Sequence, residues 1–253
     1  MATRCARLLP GGRQVRWTLP LAVLALVLSA AGTAARRPTP AQATGTPVVT
    51  LFADVNFSGT ALTLTPGTPH LDDFTQLQPA FNDKASSLVV SPGATIAVFS
   101  DIYGEGRCQQ FSASATTYRI ASLVGTWIGN DTISSLYFGP CPLTLCRDAN
   151  YQGGCATFGS VANLADYGWN DVASSLKVAD NFVVWVYRDA GWSGACDQSL
   201  PGDWVSWLGN WVPGNDAISS VLVLGPASPN YYAACFAFPN FASGGMVGGW
   251  PGW

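Results

Sequence analysis

The residues best suited to chemistry form a six-residue pattern, Asn-Asp-x-x-Ser-Ser, that occurs four times, at 82–87, 130–135, 170–175 and 215–220. Each copy offers amide, carboxylate, hydroxyl and main-chain oxygens, and no nitrogen or sulfur ligand. Calcium is a hard cation that prefers such oxygens. The alternative is a turn without metal, because Asn, Asp and Ser side chains also stabilise loops. Four intact copies favour a calcium loop.

A second pattern alternates with the first and predicts the strands that carry it. An aromatic residue or Cys is followed by x-Asp and then by a short turn that ends in Gly. The aspartates are Asp54, Asp101, Asp148 and Asp189, and the glycines are Gly59, Gly106, Gly153 and Gly194. We expect each turn Gly to need a positive φ. Each repeat is interpreted as a hairpin, a long connection and a last strand after the hexapeptide, which is a four-stranded Greek key. Since a unit of about 40 residues cannot bury its own apolar face, repeats should pair into sandwiches.

Together the two patterns resemble those of the βγ-crystallin superfamily, and in particular its calcium-binding microbial members. The match covers about residues 48–224 and includes both patterns in all four repeats. The chain departs from the family at Cys146 and Gly104, which stand where hairpin aromatics are usual. The resemblance implies an all-β fold of two tandem Greek-key β-sandwich domains, 46–139 and 141–225, joined at Gly139-Pro140.

The resemblance also implies a ligand set, because the loops of paired repeats cross in this family. Main-chain carbonyls would come from the third positions, Lys84, Thr132, Val172 and Ala217. Hydroxyls would come from the fifth positions, Ser86, Ser134, Ser174 and Ser219. Asp83, Asp131, Asp171 and Asp216 would supply negative charge, and Asn82, Asn130, Asn170 and Asn215 complete the candidate metal residues. The Lys84 ammonium should make its site the poorest. The sixth-position Ser is expected to tie the last strand to the hairpin.

The two ends of the chain lack the complete repeat patterns. Residues 1–43 have a basic start, an apolar run of about 14 residues and small residues that allow cleavage after Ala34 or Ala43. These features predict a secretory signal peptide and therefore an extracellular protein. The alternative is a membrane anchor, but the apolar run is too short to span a bilayer. No transmembrane helix is expected in the mature chain. Residues 226–253 echo a fifth hairpin without its Asp or hexapeptide, and their role is left open.

Charge and cysteines narrow the class of protein. Six of the 12 Lys and Arg residues precede residue 44 and all 15 acidic residues follow it, so the mature net charge is 6 minus 15, or −9. Such a surface argues against nucleic-acid binding, which needs basic residues. Six cysteines remain after the signal peptide, which indicates disulfides in an exported chain. Cys146 and Cys155 lie symmetrically about a predicted turn and should pair; Cys108 with Cys141 and Cys196 with Cys235 are the remaining pairs.

The other candidate sites are weak. His70 is the only histidine and no Gly-x-Ser-x-Gly occurs, so we expect a surface loop residue and no enzyme. Trp204, Trp207 and Trp211 suit either a sugar platform or the core, and the core is favoured. The predicted function is a secreted calcium-binding protein with a structural or stress-protective role. The alternatives are a secreted metalloproteinase inhibitor on the same scaffold, with a protease as the partner, and a glycan-binding module.

Overall fold

Short antiparallel strands make up most of the computed structural model, which describes residues 45–225. In the first half they are β1 Val49–Asp54, β2 Ser58–Leu64, β3 Ser87–Val90, β4 Thr95–Phe99, β5 Cys108–Ser112, β6 Tyr118–Ile120 and β7 Ser135–Tyr137. In the second half they are β8 Leu143–Asp148, β9 Gln152–Phe158, β10 Ser175–Val178, β11 Val183–Asp189, β12 Ser193–Ser199, β13 Trp204–Val205 and β14 Ser220–Leu224. Single 3-10 turns lie at Val55–Phe57, Ile102–Gly104, Ala149–Tyr151, Leu164–Tyr167 and Leu208–Asn210.

The strands form four sheets, and the repeats exchange strands between them. The first half contains the sheets β2-β1-β3-β6 and β5-β4-β7, and the second half contains β9-β8-β10-β13 and β12-β11-β14. β6 comes from the second repeat but pairs with β3 of the first, and β13 of the fourth repeat pairs with β10 of the third. This exchange is the Greek-key connection. The predicted all-β fold of tandem Greek-key β-sandwiches is confirmed.

Each sandwich has its own core, to which its central strands contribute an apolar face. In the first half the core includes Val49, Leu51, Phe74 and Leu88. In the second half it includes the alternating valines of β11 and β14, which are fully buried: Val184, Val186, Val221 and Val223. The period of two along these strands places every second side chain inside.

The expectation of four strands per repeat holds for the second and fourth repeats and is wrong for the first and third. There the third strand is replaced by the loops 65–86 and 159–174. Single contacts remain, such as the hydrogen bond that the Leu136 N–H donates to the Leu71 carbonyl at 2.8 Å and the bridge between Val161 and Val221. Prolines at 66, 69 and 79 lack the N–H that a ladder needs, which explains the first loop.

The two halves touch along an edge of the first. All described residues fall in one compact unit, so the domain boundaries at 139 and 141 stay a prediction. The Gly106 N–H donates to the Ser160 carbonyl at 2.8 Å, and Arg107 forms an antiparallel bridge with Phe158. A Cβ on Gly159 would collide with the Gly104 carbonyl oxygen. Glycine at 159 is therefore what allows its backbone to approach the backbone at Gly104 so closely.

Two disulfides lie within the described residues. Cys146 and Cys155 are opposed in the β8–β9 pair with their Cα atoms 4.1 Å apart, which confirms the predicted pairing. Cys108 joins Cys141 with a Cα–Cα distance of 5.9 Å, and this bond links β5 to the start of the second half. Cys196 is also disulfide-bonded, whereas its expected partner Cys235 lies outside the described residues.

The predicted signal peptide, 1–43, and the tail, 226–253, also lie outside the described residues, and secretion stays a prediction. Within residues 45–225 the structure contains no helix of the length and apolar character that a bilayer crossing requires.

The prediction that Trp204 and Trp207 fill the core is wrong. Their side chains are 67% and 46% exposed. β13 is a two-residue edge strand, and it presents Trp204 on the outside, where the ring lies 5.9 Å from that of Tyr151 and 4.4 Å from the Lys177 ammonium. Trp211 is half-buried and packs against the second core, as predicted.

Candidate metal centre

The sixth Ser of each hexapeptide fastens the last strand of its repeat to the hairpin. Ser87 Oγ donates to the Asp54 carbonyl at 2.7 Å and accepts from the Phe57 N–H at 3.0 Å. The same two bonds recur at Ser135, Ser175 and Ser220. All four serines are fully buried. The predicted structural role of the sixth position is confirmed.

The hairpins that these serines hold are folded back by their turn glycines. Gly59, Gly106, Gly153 and Gly194 have φ between +73° and +79°. At each of them a Cβ would collide with the carboxylate of the hairpin Asp. Glycine is needed for the conformation and for the space.

The hexapeptides of paired repeats cross each other within each half. Ser86 Oγ donates to Asp131 Oδ1 at 2.7 Å, and Ser134 Oγ donates to Asp83 Oδ1 at 2.9 Å. In the second half the same pair of bonds joins Ser174 to Asp216 at 2.9 Å and Ser219 to Asp171 at 3.2 Å. Each aspartate N–H also donates to a carbonyl of the opposite loop at 3.0–3.1 Å. The loops pair as the crossed arrangement requires.

Inside each loop the first-position Asn orients the second-position Asp. Asn82 Nδ2 donates to Asp83 Oδ2 at 2.7 Å, and the other three loops repeat this bond at 2.6–2.7 Å. All four aspartates have left-handed backbone, with φ between +48° and +53°. One carboxylate oxygen therefore faces its own loop and the other faces the opposite loop.

Unsatisfied oxygens remain at the crossing. The Oδ1 atoms of Asn82, Asn130 and Asn215 are buried and accept no hydrogen bond from the described residues. A buried acceptor without a partner costs about 1–3 kcal/mol. The third-position carbonyls likewise accept no hydrogen bond from another described residue. The oxygens without donors occupy the same position in three of the four loops, and such oxygens fit a bound cation.

The donor set determines which cation fits. Residues 45–225 contain no group of three or more His, Cys, Asp or Glu side chains that could hold a metal. Each crossing pairs one carboxylate with one hydroxyl, and amide and carbonyl oxygens lie nearby. Hard cations accept such oxygens, whereas soft transition metals favour imidazole or thiolate. The Lys84 ammonium donates to the Ala80 carbonyl at 2.8 Å.

A second charged site, which the sequence analysis missed, lies where the halves meet. A cavity of about 190 Å³ is lined by residues of both, including Asp101, Glu105, Asp166 and Tyr167. Burial, and then the Asp101 charge, raise the pKa of Glu105 from 4.5 to about 7. The Tyr167 hydroxyl donates to Asp101 Oδ2 at 3.0 Å, and burial and that carboxylate raise its pKa to about 12. The sequence offered one clue to this site, because Glu105 is the only glutamate of the chain.

His70 is exposed, as predicted.

Comparisons with known proteins find βγ-crystallin structures that are similar to parts of this chain. No family model and no curated protein matches the chain. A βγ-crystallin from Ciona intestinalis is 31% identical over 32% of this chain and 95% of its own, with a TM-score of 0.29. A βγ-crystallin domain from Clostridium beijerinckii is 27% identical over 32% and 95%, with a TM-score of 0.28. An archaeal βγ-crystallin is 23% identical over 38% and 100%, with a TM-score of 0.30.

Each of these proteins matches about a third of the chain. The 31% identity extends over nearly the whole Ciona protein, and both hairpin and hexapeptide occur in all four repeats. The chain belongs to the βγ-crystallin superfamily.

Proposed function

We propose that this protein binds calcium at the crossed hexapeptides and is a secreted, non-enzymatic structural protein whose fold the ion stabilises. The observation that carries the proposal is the set of buried, donor-free Oδ1 atoms of Asn82, Asn130 and Asn215 at the loop crossings. In each half, two ions would be held by the Asn, Asp and third-position carbonyl of one loop and the fifth-position Ser of the other.

The spacing of the oxygens supports a single ion between two loops. Ser Oγ and Asp Oδ1 atoms from opposite loops lie 2.7–3.2 Å apart at all four crossings. Oxygens that both bind calcium at about 2.3–2.6 Å can lie this close to each other. When calcium binds, it supplies the positive charge that the aspartate and the donor-free amide oxygens lack.

The charge count predicts modest affinity. Each crossing has one carboxylate, and calcium affinity falls as the number of charged ligands falls. We expect dissociation constants in the range of about 10⁻⁵–10⁻³ M, which suits extracellular calcium levels. The disulfides at Cys108–Cys141 and Cys146–Cys155 support an oxidising location as well.

Calorimetric titration of residues 44–253 with calcium tests the proposal. The double variant Asp171→Ala/Ser174→Ala should lose or weaken two sites, both in the second half, because each loop contributes to both ions there. Asp180→Ala is the matched control, since it removes an exposed carboxylate of the same half outside the hexapeptides. No calcium heat in the parent protein would overturn the proposal. Loss of a single site in the double variant would overturn the shared-loop arrangement.

One observation favours a second function. Trp204 is exposed and stacks edge-on against Tyr151, with the Lys177 ammonium 4.4 Å from both rings. Exposed aromatic faces beside a polar group can bind sugar rings. A glycan array tests this alternative with Trp204→Ala as its control variant. A panel of metalloproteinases tests the inhibitor alternative, which stays a prediction.

A further inference from the structure

The second sheet of the second half has two apolar faces, although a sandwich needs only one. Val184 and Val186 of β11 and Val221 and Val223 of β14 face the sandwich core. The residues that alternate with them lie on the opposite, outer face. We define this outer face as Val183, Trp185, Tyr187, Cys196, Leu222 and Leu224.

The outer face is buried. Its six residues are 0–8% exposed and form a cluster of their own. The only other described hydrophobic side chain packed against that cluster is Trp192, which belongs to the hairpin of the same sheet. Side chains on one face of a sheet stand roughly parallel, so they cannot cover their own tips. The other described hydrophobic side chains therefore do not provide the cover of this face.

The first half shows what covers the corresponding face there. Counted from the hairpin aspartates Asp101 and Asp189, Phe99 corresponds to Tyr187 and Cys108 to Cys196. Phe99 and Cys108 belong to one cluster with Phe158 of the second half. The part of the chain that follows β7 thus packs on the outer face of the sheet that β7 belongs to. The Cys108–Cys141 disulfide holds the two together.

The equivalent segment after β14 is the tail, 226–253. This stretch of 28 residues contains no Asp, Glu, Lys, Arg or His and seven aromatic residues. Such a composition is that of a buried segment, because solvated tails are polar or charged. The tail also contains Cys235. Six cysteines follow residue 43. Four of them form Cys108–Cys141 and Cys146–Cys155, and Cys196 is disulfide-bonded, so Cys235 is the one that remains.

We propose that the outer face of β11, β12 and β14 is the docking surface for the chain's own residues 226–253, which a Cys196–Cys235 disulfide fastens there. The tail then covers the outer face of the second half in the same way as the second half covers the corresponding face of the first. The proposal does not depend on calcium.

The test uses the mature chain, 44–253, with a protease site inserted between residues 226 and 231. Peptide mapping without reduction should find Cys196 joined to Cys235 of the same chain. After cleavage, reductant should either leave the tail bound without a covalent link or release it with a several-fold rise in the fluorescence of a dye that binds apolar surface. Uncleaved protein in the same reductant is the control, because its tail stays tethered by the peptide chain.

A variant pair gives a second measurement. Trp185→Ala on the outer face should speed proteolysis of the tail several-fold in the reduced full chain, whereas Trp204→Ala, an exposed tryptophan of the same half, should not. The proposal is overturned if the tail leaves and dye fluorescence stays the same. It is also overturned if Cys196 is joined to a second molecule or if both tryptophan variants digest alike. If Cys196 is joined to a second molecule, a second copy of the chain is the occupant, and gel filtration would show a dimer.

Discussion

Replacing Glu105 by Gln should make the protein more stable at neutral and alkaline pH. Glu105 follows the turn Ile102–Gly104 and lies where the first half meets the second, bridged to Ser160. Its carboxyl group lines the cavity between the halves together with the Asp101 and Asp166 carboxylates. Burial and the Asp101 charge both disfavour the ionised form, which is why the pKa rises from 4.5 to about 7.

The size and sign of the effect follow from that rise in pKa. The difference between 4.5 and about 7 corresponds to about 3 kcal/mol. The folded protein binds the proton more tightly than the unfolded chain, so the contribution to stability is fully present below pH 4.5 and is lost as the pH rises through about 7. Gln is neutral at every pH. Glu105→Gln should therefore gain up to about 3 kcal/mol in unfolding free energy at pH 8 and almost nothing at pH 4.

Denaturant unfolding at several pH values between 4 and 8 measures this difference. Chelator is present throughout, so that calcium binding does not add its own pH dependence. Asp166→Asn is the matched control, because it removes one negative charge from the same cavity while Glu105 remains. The control should keep the wild-type dependence on pH. Parallel curves for wild type and Glu105→Gln over this range would refute the reasoning, since the carboxyl would then titrate alike in the folded and unfolded chain.

Four further outcomes are expected. Calcium should raise the melting temperature of the mature protein above its value in chelator, because an ion that binds only the native state stabilises it; identical melting curves would contradict the calcium proposal. Ser175→Ala should cost about 2 kcal/mol in a chemical denaturation, since it leaves the Asp148 carbonyl without its donor in a buried place, and a cost near zero would count against the role of the sixth position. Replacing Cys108 by Ser should lower stability by about 3 kcal/mol, because the disulfide closes a loop with a sequence separation of 33; an unchanged denaturation midpoint would argue against that bond. Gly159→Ala should destabilise by about 2 kcal/mol through its clash with a main-chain oxygen, whereas Gly67→Ala, where a Cβ meets nothing within 4 Å, should be nearly neutral, and equal effects would contradict the close approach of the halves.

What could be predicted from the sequence was local or repeated. The hairpin turns depend on a glycine that follows its Asp by five residues, and the Cys146–Cys155 bond depends on symmetry about one of those turns. The hexapeptide has the same spacing in every repeat, so one interpretation could be checked four times. The crossing of the loops came from the resemblance to a family, because no spacing in the sequence shows which loops meet.

What could not be predicted depends on which faces of the fold meet. Trp204 looks like a core residue by type, yet its exposure is decided by the side of a two-residue edge strand on which it lies. Glu105 and Asp166 are 61 residues apart and share a cavity only because the halves touch. Loops replace the third strands of the first and third repeats because prolines in the first and a capped 3-10 turn at Leu164–Tyr167 in the third compete with strand pairing.

The hexapeptide connects the proposed ion to the rest of its sandwich through successive hydrogen bonds. In the first loop, Asn82 holds Asp83, Asp83 receives the hydroxyl of Ser134 from the opposite loop, and Ser87 fixes the hairpin at Asp54. A cation at the crossing would therefore stiffen both hairpins of one half at once. The contact between the halves is made elsewhere, by the backbone at Gly106 and the Cys108–Cys141 bond. Calcium should thus act on each half as a separate unit, and filling the sites of one half should leave the calcium affinity of the other unchanged, even though the two halves pack into one compact body.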